Sequence, residues 1–202
     1  MTATLQALPA GWLPAAKMQR VICHWTAGHH KASEDDKAHY HILIEDDGDV
    51  IRGKPTIDLN AAPAKKGYAA HTLNCNTGSI GVSLCCMALA TESPFNPGKA
   101  PMTKAQWDKL AVVVADLCRF YGIPVTPKTV LSHAEVQGTL GITQRGKWDF
   151  TRLAFAPEVQ GREGVRRSAA DCRRQAVVTC GSSWITRHRL TGRCAGASLS
   201  CR

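Results

Sequence analysis

The chain has 202 residues, of which 44% are hydrophobic and 20% charged, and it carries a formal net charge of +9. This is the size and balance of one globular domain with a sizeable core, or of one domain plus a tail. No window approaches the ~18–20 consecutive apolar residues of a membrane span, so no helical span is expected.

The N-terminal stretch does not read as a signal peptide, because its first positive charge, Lys17, follows the apolar part instead of preceding it. Synthesis in the cytoplasm is the expectation. Residues 1–17 hold Pro9, Gly11 and Pro14 with no clear period and are expected to be an arm along the domain. Gln19–His24 reads as a strand followed by a turn at Thr26-Ala27-Gly28. Ser33 is a helix N-cap with Glu34, Asp35 and Asp36 in the first turn, near the positive end of the dipole. His39 to Ile44 and Val50-Ile51 flank Asp46-Asp47-Gly48, which predicts a hairpin. On that strand His39 and His41 would point opposite to Tyr40.

Residues 53–78 form a long irregular passage, a length that usually carries function. Ser79–Met87 reads as a central strand. Thr103–Tyr121 is the clearest helix: Thr103 and Gln106 make a capping box, and Trp107, Leu110, Ala111, Val114, Leu117, Cys118 and Tyr121 recur at three and four residues. Gly122 and Pro124 end it. A strand then runs into His133, a Gly-rich excursion follows, and a short helix over Phe150–Phe155 closes the domain. The pattern predicts an α/β fold, a mixed central β-sheet flanked by helices, as a single domain over 18–155 with an irregular C-terminal tail.

The tail, 156–202, contains nine Arg and no Lys against Glu158, Glu163 and Asp171, so +6 of the net charge sits there. Its composition predicts a disordered extension, with binding to an anionic surface as the alternative. Of nine cysteines, Cys23, Cys85, Cys86 and Cys118 sit inside apolar runs and read as small buried hydrophobes in a reducing compartment.

Among eight histidines, His29 and His30 fall in a polar turn, whereas His24 and His133 each terminate an apolar strand. Strand ends are where ligands collect in sheets covered by helices. Lys147-Trp148-Asp149 adds a carboxylate beside a cation. Two His and one carboxylate would leave one position of a tetrahedral Zn²⁺ open, as in a catalytic site.

The segments VICHWTAG, AHYHILIEDDGDVIR, AAHTLNCNTGSIGVSL, LSHAEVQ and GKWDF, in this order, resemble the zinc-dependent N-acetylmuramoyl-L-alanine amidases. That family includes phage lysis amidases, wall-recycling amidases and animal peptidoglycan recognition proteins. The resemblance spans roughly residues 18–155 and leaves out the tail. It implies Zn²⁺ ligation by His24, His133 and Asp149, charge stabilisation at the scissile carbonyl by Lys147, and an opposing Tyr40. It also implies a muropeptide groove lined by His71 and Asn76, with peptidoglycan as partner; a monomer is the expectation for the chain.

Two departures stand out. The sixteen-residue step from His133 to Asp149 suggests an inserted loop over 134–146. Ser83 stands where the wall-recycling enzymes carry a Glu general base, which together with Tyr40 leans toward a phage-type endolysin. Glu135 is an alternative base, or else a solvated loop carboxylate. The competing readings are a cytoplasmic muropeptide-recycling amidase and a non-catalytic peptidoglycan-binding module. A nucleic-acid binder driven by the Arg tail ranks below them, since the domain itself is nearly neutral.

Overall fold

In the computed structural model of the chain, residues 7–158, 161, 164 and 166–171 are described. The central strand is β4 (Ser79–Leu84), buried along its whole length. It is flanked by β1 (Arg20–Trp25) on one side and β2 (Ile42–Ile44) on the other, both parallel to it. β3 (Val50–Arg52) pairs antiparallel with β2, and β5 (Val130–Ser132) pairs parallel with β1, giving the order β3-β2-β4-β1-β5. The inner strands are runs of Val, Ile and Leu because parallel strands are covered on both faces.

Alternation along these strands sorts the molecule into two sides. Val21, Cys23 and Trp25 of β1 join Ile80, Val82 and Leu84 of β4 in the main core. Against that face packs α2 (Lys104–Phe120) through Leu110, Val113, Val114, Leu117 and Cys118. Thr103 and Gln106 form its capping box, and the Gln106 carboxamide also donates to Ile44 O and Cys85 O, fastening the helix start to the sheet. The intervening residues point the other way. Ile22 packs there with Cys75 and Val136 in a smaller cluster, and His24 follows on the same face.

The expected hairpin is present, with Gly48 at φ +91° in the Asp46-Asp47-Gly48 turn. Other expectations need correction. The Ser33 capping box, with the acids behind it, carries α1 (Glu34–His39) as far as His39. Tyr40 therefore ends a helix rather than sitting mid-strand, and His39 and His41 do not share a strand face. β4 stops at Leu84, and Met87 lies at φ +71°. The Gly-rich excursion after His133 is mostly helix: α3 (His133–Leu140) begins at once on a Ser132–Glu135 capping box and stops at Gly141, φ +71°. That helix takes up the length attributed to an inserted loop. Residues 150–155 are turns, not a helix. Phe150 is fully buried at φ +60°, its ring 5.5 Å from Trp25 and 5.7 Å from Trp107.

Both ends of the described chain pack on the domain. Leu8 and Leu13 are buried in the main core, and the amide nitrogens of Ala7 and Leu8 donate to the Asp116 carboxylate. Past residue 155, residues 166–171 are helical and Ala169 is fully buried in the main core. Arg166 reaches back to α3, where its Nη1 pairs with Glu135 Oε1 at 2.6 Å and donates to Val130 O at 3.2 Å. The rest of the Arg-rich tail, with Cys172, Cys180, Cys194 and Cys201, lies outside the described residues, as do residues 1–6. Cys23, Cys75, Cys85, Cys86 and Cys118 are buried free thiols, and burial pushes Cys85 up to about 12. Among the described residues no helix is long and apolar enough to cross a membrane.

The Glu135–Arg166 pair ties a segment beyond residue 155 to the first turn of α3. Arg166→Ala is expected to cost about 2 kcal/mol in chemical unfolding, short of the ~3–5 kcal/mol of a fully buried pair, because each partner keeps 12–13% exposure. Unchanged stability would show that the segment is not part of the folded unit.

Candidate metal centre

Three side chains converge on the face of the sheet opposite α2. His24 is the penultimate residue of β1, and His133 opens α3 directly after β5. Asp149 arrives from the turn that follows α3, with its Oδ1 accepting from the Trp25 backbone N–H at 3.2 Å. All three are buried, and their ligand atoms lie within 4.8 Å of one another. The two imidazoles meet through Nδ1 atoms 3.0 Å apart, close to the roughly 3.3 Å edge that zinc–nitrogen bonds of ~2.0–2.1 Å give at a tetrahedral angle.

The surroundings set the protonation states. Burial, with Lys147 adding to it, lowers His133 to about 4 although its bond to Gln144 opposes the shift. Burial and the neighbouring His133, His71 and Lys147 hold His24 well below the ordinary imidazole value. Burial raises Asp149 to about 6, opposed by the Trp25 N–H and by Lys147. At neutral pH the group is therefore two neutral imidazoles and one carboxylate. This buried anionic set of two nitrogens and one oxygen suits a divalent cation, and its donors fit zinc.

The proton on His133 can be placed. Gln144 Nε2 donates to Leu73 O at 3.0 Å, which turns its Oε1 toward His133 Nε2 at 2.9 Å. That oxygen demands an N–H at Nε2 and leaves Nδ1 as the lone-pair atom facing the site. Such outer partners commonly fix the tautomer of a ligating imidazole. Gln144 carried no signal in the sequence, being a loop glutamine outside any periodic pattern.

The remaining candidates take different stations. Tyr40 caps α1, its ring 5.2 Å from that of His24. Burial first and Asp149 second raise its phenol, which stays protonated, with Ser83 beside it. Lys147 is exposed at the rim of a cleft of about 450 Å³ that also takes in Tyr68, Leu73, Asn76, His133 and Arg145. His71 lies largely beneath this cleft, and Asn76 Oδ1 accepts from the amides of His71 and Thr72, closing the loop between them.

Glu135 is neither a base at the site nor solvated. Its Oε2 accepts from Ser132 N and Oγ while Oε1 holds Arg166. His29 and His39 are exposed, His30 contacts Pro101 O, and His188 lies outside the described residues. His41 is buried behind His71 and bonded to Asn60 at 3.0 Å.

Comparison with known proteins identifies the class. The profile of the N-acetylmuramoyl-L-alanine amidase family matches residues 14–149, and the chain belongs to that family. The match ends on Asp149. Among solved structures, the chain is similar to the endolysin N-acetylmuramoyl-L-alanine amidase LysCS from Clostridium intestinale URNW, at 15% identity and TM-score 0.40, covering 63% of this chain and 86% of that one. It is similar to the N-acetylmuramyl-L-alanine amidase AmiD from E. coli, at 19% identity and TM-score 0.44, covering 63% and 51%. Drosophila peptidoglycan recognition protein SD is similar at 18% identity and TM-score 0.40, covering 67% and 85%. No curated protein matches the chain.

Four buried histidines, His24, His41, His71 and His133, lie below their ordinary value, with His41 and His133 at about 4. The unfolded chain takes up their protons near pH 6.5 and the folded chain does not, so stability drains as pH falls from about 6.5 toward 4. Asp149 has the opposite sign: raised to about 6, it binds a proton in the folded state first as pH falls. Four groups outweigh one. The metal-free protein is expected to melt at a lower temperature at pH 5 than at pH 7; a flat or rising profile would contradict the burial of these imidazoles.

Proposed function

We propose that the chain is a zinc-dependent N-acetylmuramoyl-L-alanine amidase that cuts the amide bond between N-acetylmuramic acid and L-alanine in peptidoglycan, acting as a phage-type endolysin. The observation that carries this reading is the convergence of His24, His133 and Asp149 within 4.8 Å at the side of a cleft that Lys147 also lines. Zinc, when bound there, supplies a Lewis acid able to activate water at neutral pH.

The chain's own residues account for the rest. The Lys147 ammonium, already felt electrostatically by His24, His133 and Asp149, faces negative charge developing on the scissile carbonyl oxygen. Tyr40 keeps its proton, so it serves as a hydrogen-bond donor rather than as a base. Tyr68 and Leu73, both substantially exposed, give the cleft an apolar wall. Arg145 and Lys147 give it a cationic one, and among the described residues no carboxylate lines it. This division suits a glycopeptide that presents sugar and alanyl methyl groups together with carboxylates. His71 and Asn76 complete the wall. Ser83 supports the endolysin branch, because it puts a hydroxyl beside Tyr40 where the recycling enzymes that the chain resembles would have a carboxylate.

Purified protein incubated with intact sacculi and zinc is expected to release N-terminal L-alanine amines. His133→Ala should abolish the release, and Lys147→Ala should lower kcat by about 10²–10³, the usual loss for one oxyanion donor. No release by the native protein, or full activity in His133→Ala, would refute the proposal. Cleavage of small anhydro-muropeptides in preference to sacculi would move the role from lysis to recycling.

A further inference from the structure

We propose that His71 is a positioning residue for the metal centre: its Nδ1 accepts the Nε2–H of His24 and so keeps His24 Nδ1 unprotonated and turned toward His133 and Asp149. The inference rests on the zinc reading above and adds to it a residue that never touches the metal.

His24 is wholly buried and both its nitrogens face other groups. Nδ1 is 3.0 Å from His133 Nδ1, while Nε2 is 3.2 Å from His71 Nδ1 and 3.4 Å from Thr72 Oγ1. A neutral imidazole has one N–H and one lone pair, so the row of rings has two possible proton arrangements. In one, His71 Nδ1–H donates to His24 Nε2, which forces the His24 proton onto Nδ1, where the cation belongs. In the other, His24 Nε2–H donates to His71 Nδ1 and the lone pair of His24 faces the site. Only the second allows metal binding.

The surroundings of His71 accommodate the second arrangement, the one that metal binding requires. Its Nε2 is buried without a hydrogen-bond partner among the described residues, so the polar contacts that bear on the ring proton are those at Nδ1. Its Nδ1 is 2.8 Å from Thr72 Oγ1, whose hydroxyl can donate to it. With that hydroxyl donating, Nδ1 stands as an acceptor toward His24 Nε2–H as well.

The chain is also shaped to put the ring there. A Cβ at Gly81 would lie 2.6 Å from Cγ and Cδ2 of His71, so the ring rests directly on the backbone of β4 where only glycine leaves room. Asn76 Oδ1 holds the His71 and Thr72 amides at 3.0 and 2.8 Å. Asn60 in turn holds Asn76 O and Ala69 O through its Nδ2. The irregular passage before β4 thus delivers one imidazole beneath His24.

The test is zinc affinity by competition with a chromophoric chelator, for the native protein, His71→Phe and His71→Asn, with melting curves of the metal-free proteins as the folding control. His71→Phe keeps a ring without an acceptor, and His71→Asn keeps an acceptor oxygen. His71→Phe is expected to bind zinc about 10–100-fold more weakly at unchanged stoichiometry, the usual loss for an outer partner of a ligand, with affinity recovered in part by His71→Asn. Native-like affinity in folded His71→Phe, or equal loss in both variants, would overturn the inference while leaving the zinc centre intact. A native protein that binds no zinc would overturn both. ¹⁵N NMR of the zinc-loaded native protein provides a second test that needs no variant: His71 is expected as the Nε2–H tautomer, and an Nδ1–H signal from His71 would contradict the arrangement.

Discussion

Two imidazoles and a carboxylate are removed from water at one point, with the Trp25 N–H and the Lys147 ammonium as the groups that offset the buried charge of Asp149. Desolvation keeps His24 and His133 neutral at pH 7 and raises Asp149 to about 6, still below that pH, so it stays a carboxylate. A buried anion with two lone pairs facing it is costly unless a cation joins it. The cost is tolerated because the sheet leaves no alternative: β1 must alternate, and with Val21, Cys23 and Trp25 committed to the main core, His24 has to emerge on the opposite face.

The rest of the fold serves to hold that convergence in place. β5 hands directly into α3, so His133 stands at a strand-to-helix junction clamped by the Ser132–Glu135 capping box and by Arg166. Gln144 bonds the His133 ring from outside the site, and His71 bonds the His24 ring. The turn carrying Asp149 is anchored by Phe150, wedged between Trp25 and Trp107. The cleft therefore has a buried floor and a rim of exposed side chains, Lys147 and Arg145 among them.

Much of this was legible in the sequence. The Thr103–Gln106 box, the apolar stripe behind it and the Asp-Gly turn specified α2 and the hairpin locally, without tertiary help. α3 was equally specified, by Ser132 and Glu135, but its cap sits at the end of a strand, and Gly138 made what followed look like a loop. His39–Ile44 read as one strand because β-prone residues follow the histidine, whereas the preceding acids extend the helix to it. Phe150 adopts a positive φ for the sake of a packing contact far away in sequence, which no local pattern announces. Within the site, residue type and the family resemblance pointed to His24, His133 and Asp149. The positions of Gln144 and the orientation of His71 depend on contacts across 11 and 47 residues and could come only from the folded chain.

X-ray absorption at the zinc edge of the zinc-loaded protein tests the central claim most directly. One zinc per chain, with two imidazole nitrogens at about 2.0–2.1 Å, light oxygen donors and no sulfur, is the spectrum that His24, His133 and Asp149 predict. A sulfur scatterer near 2.3 Å, or no bound zinc at all, would contradict it.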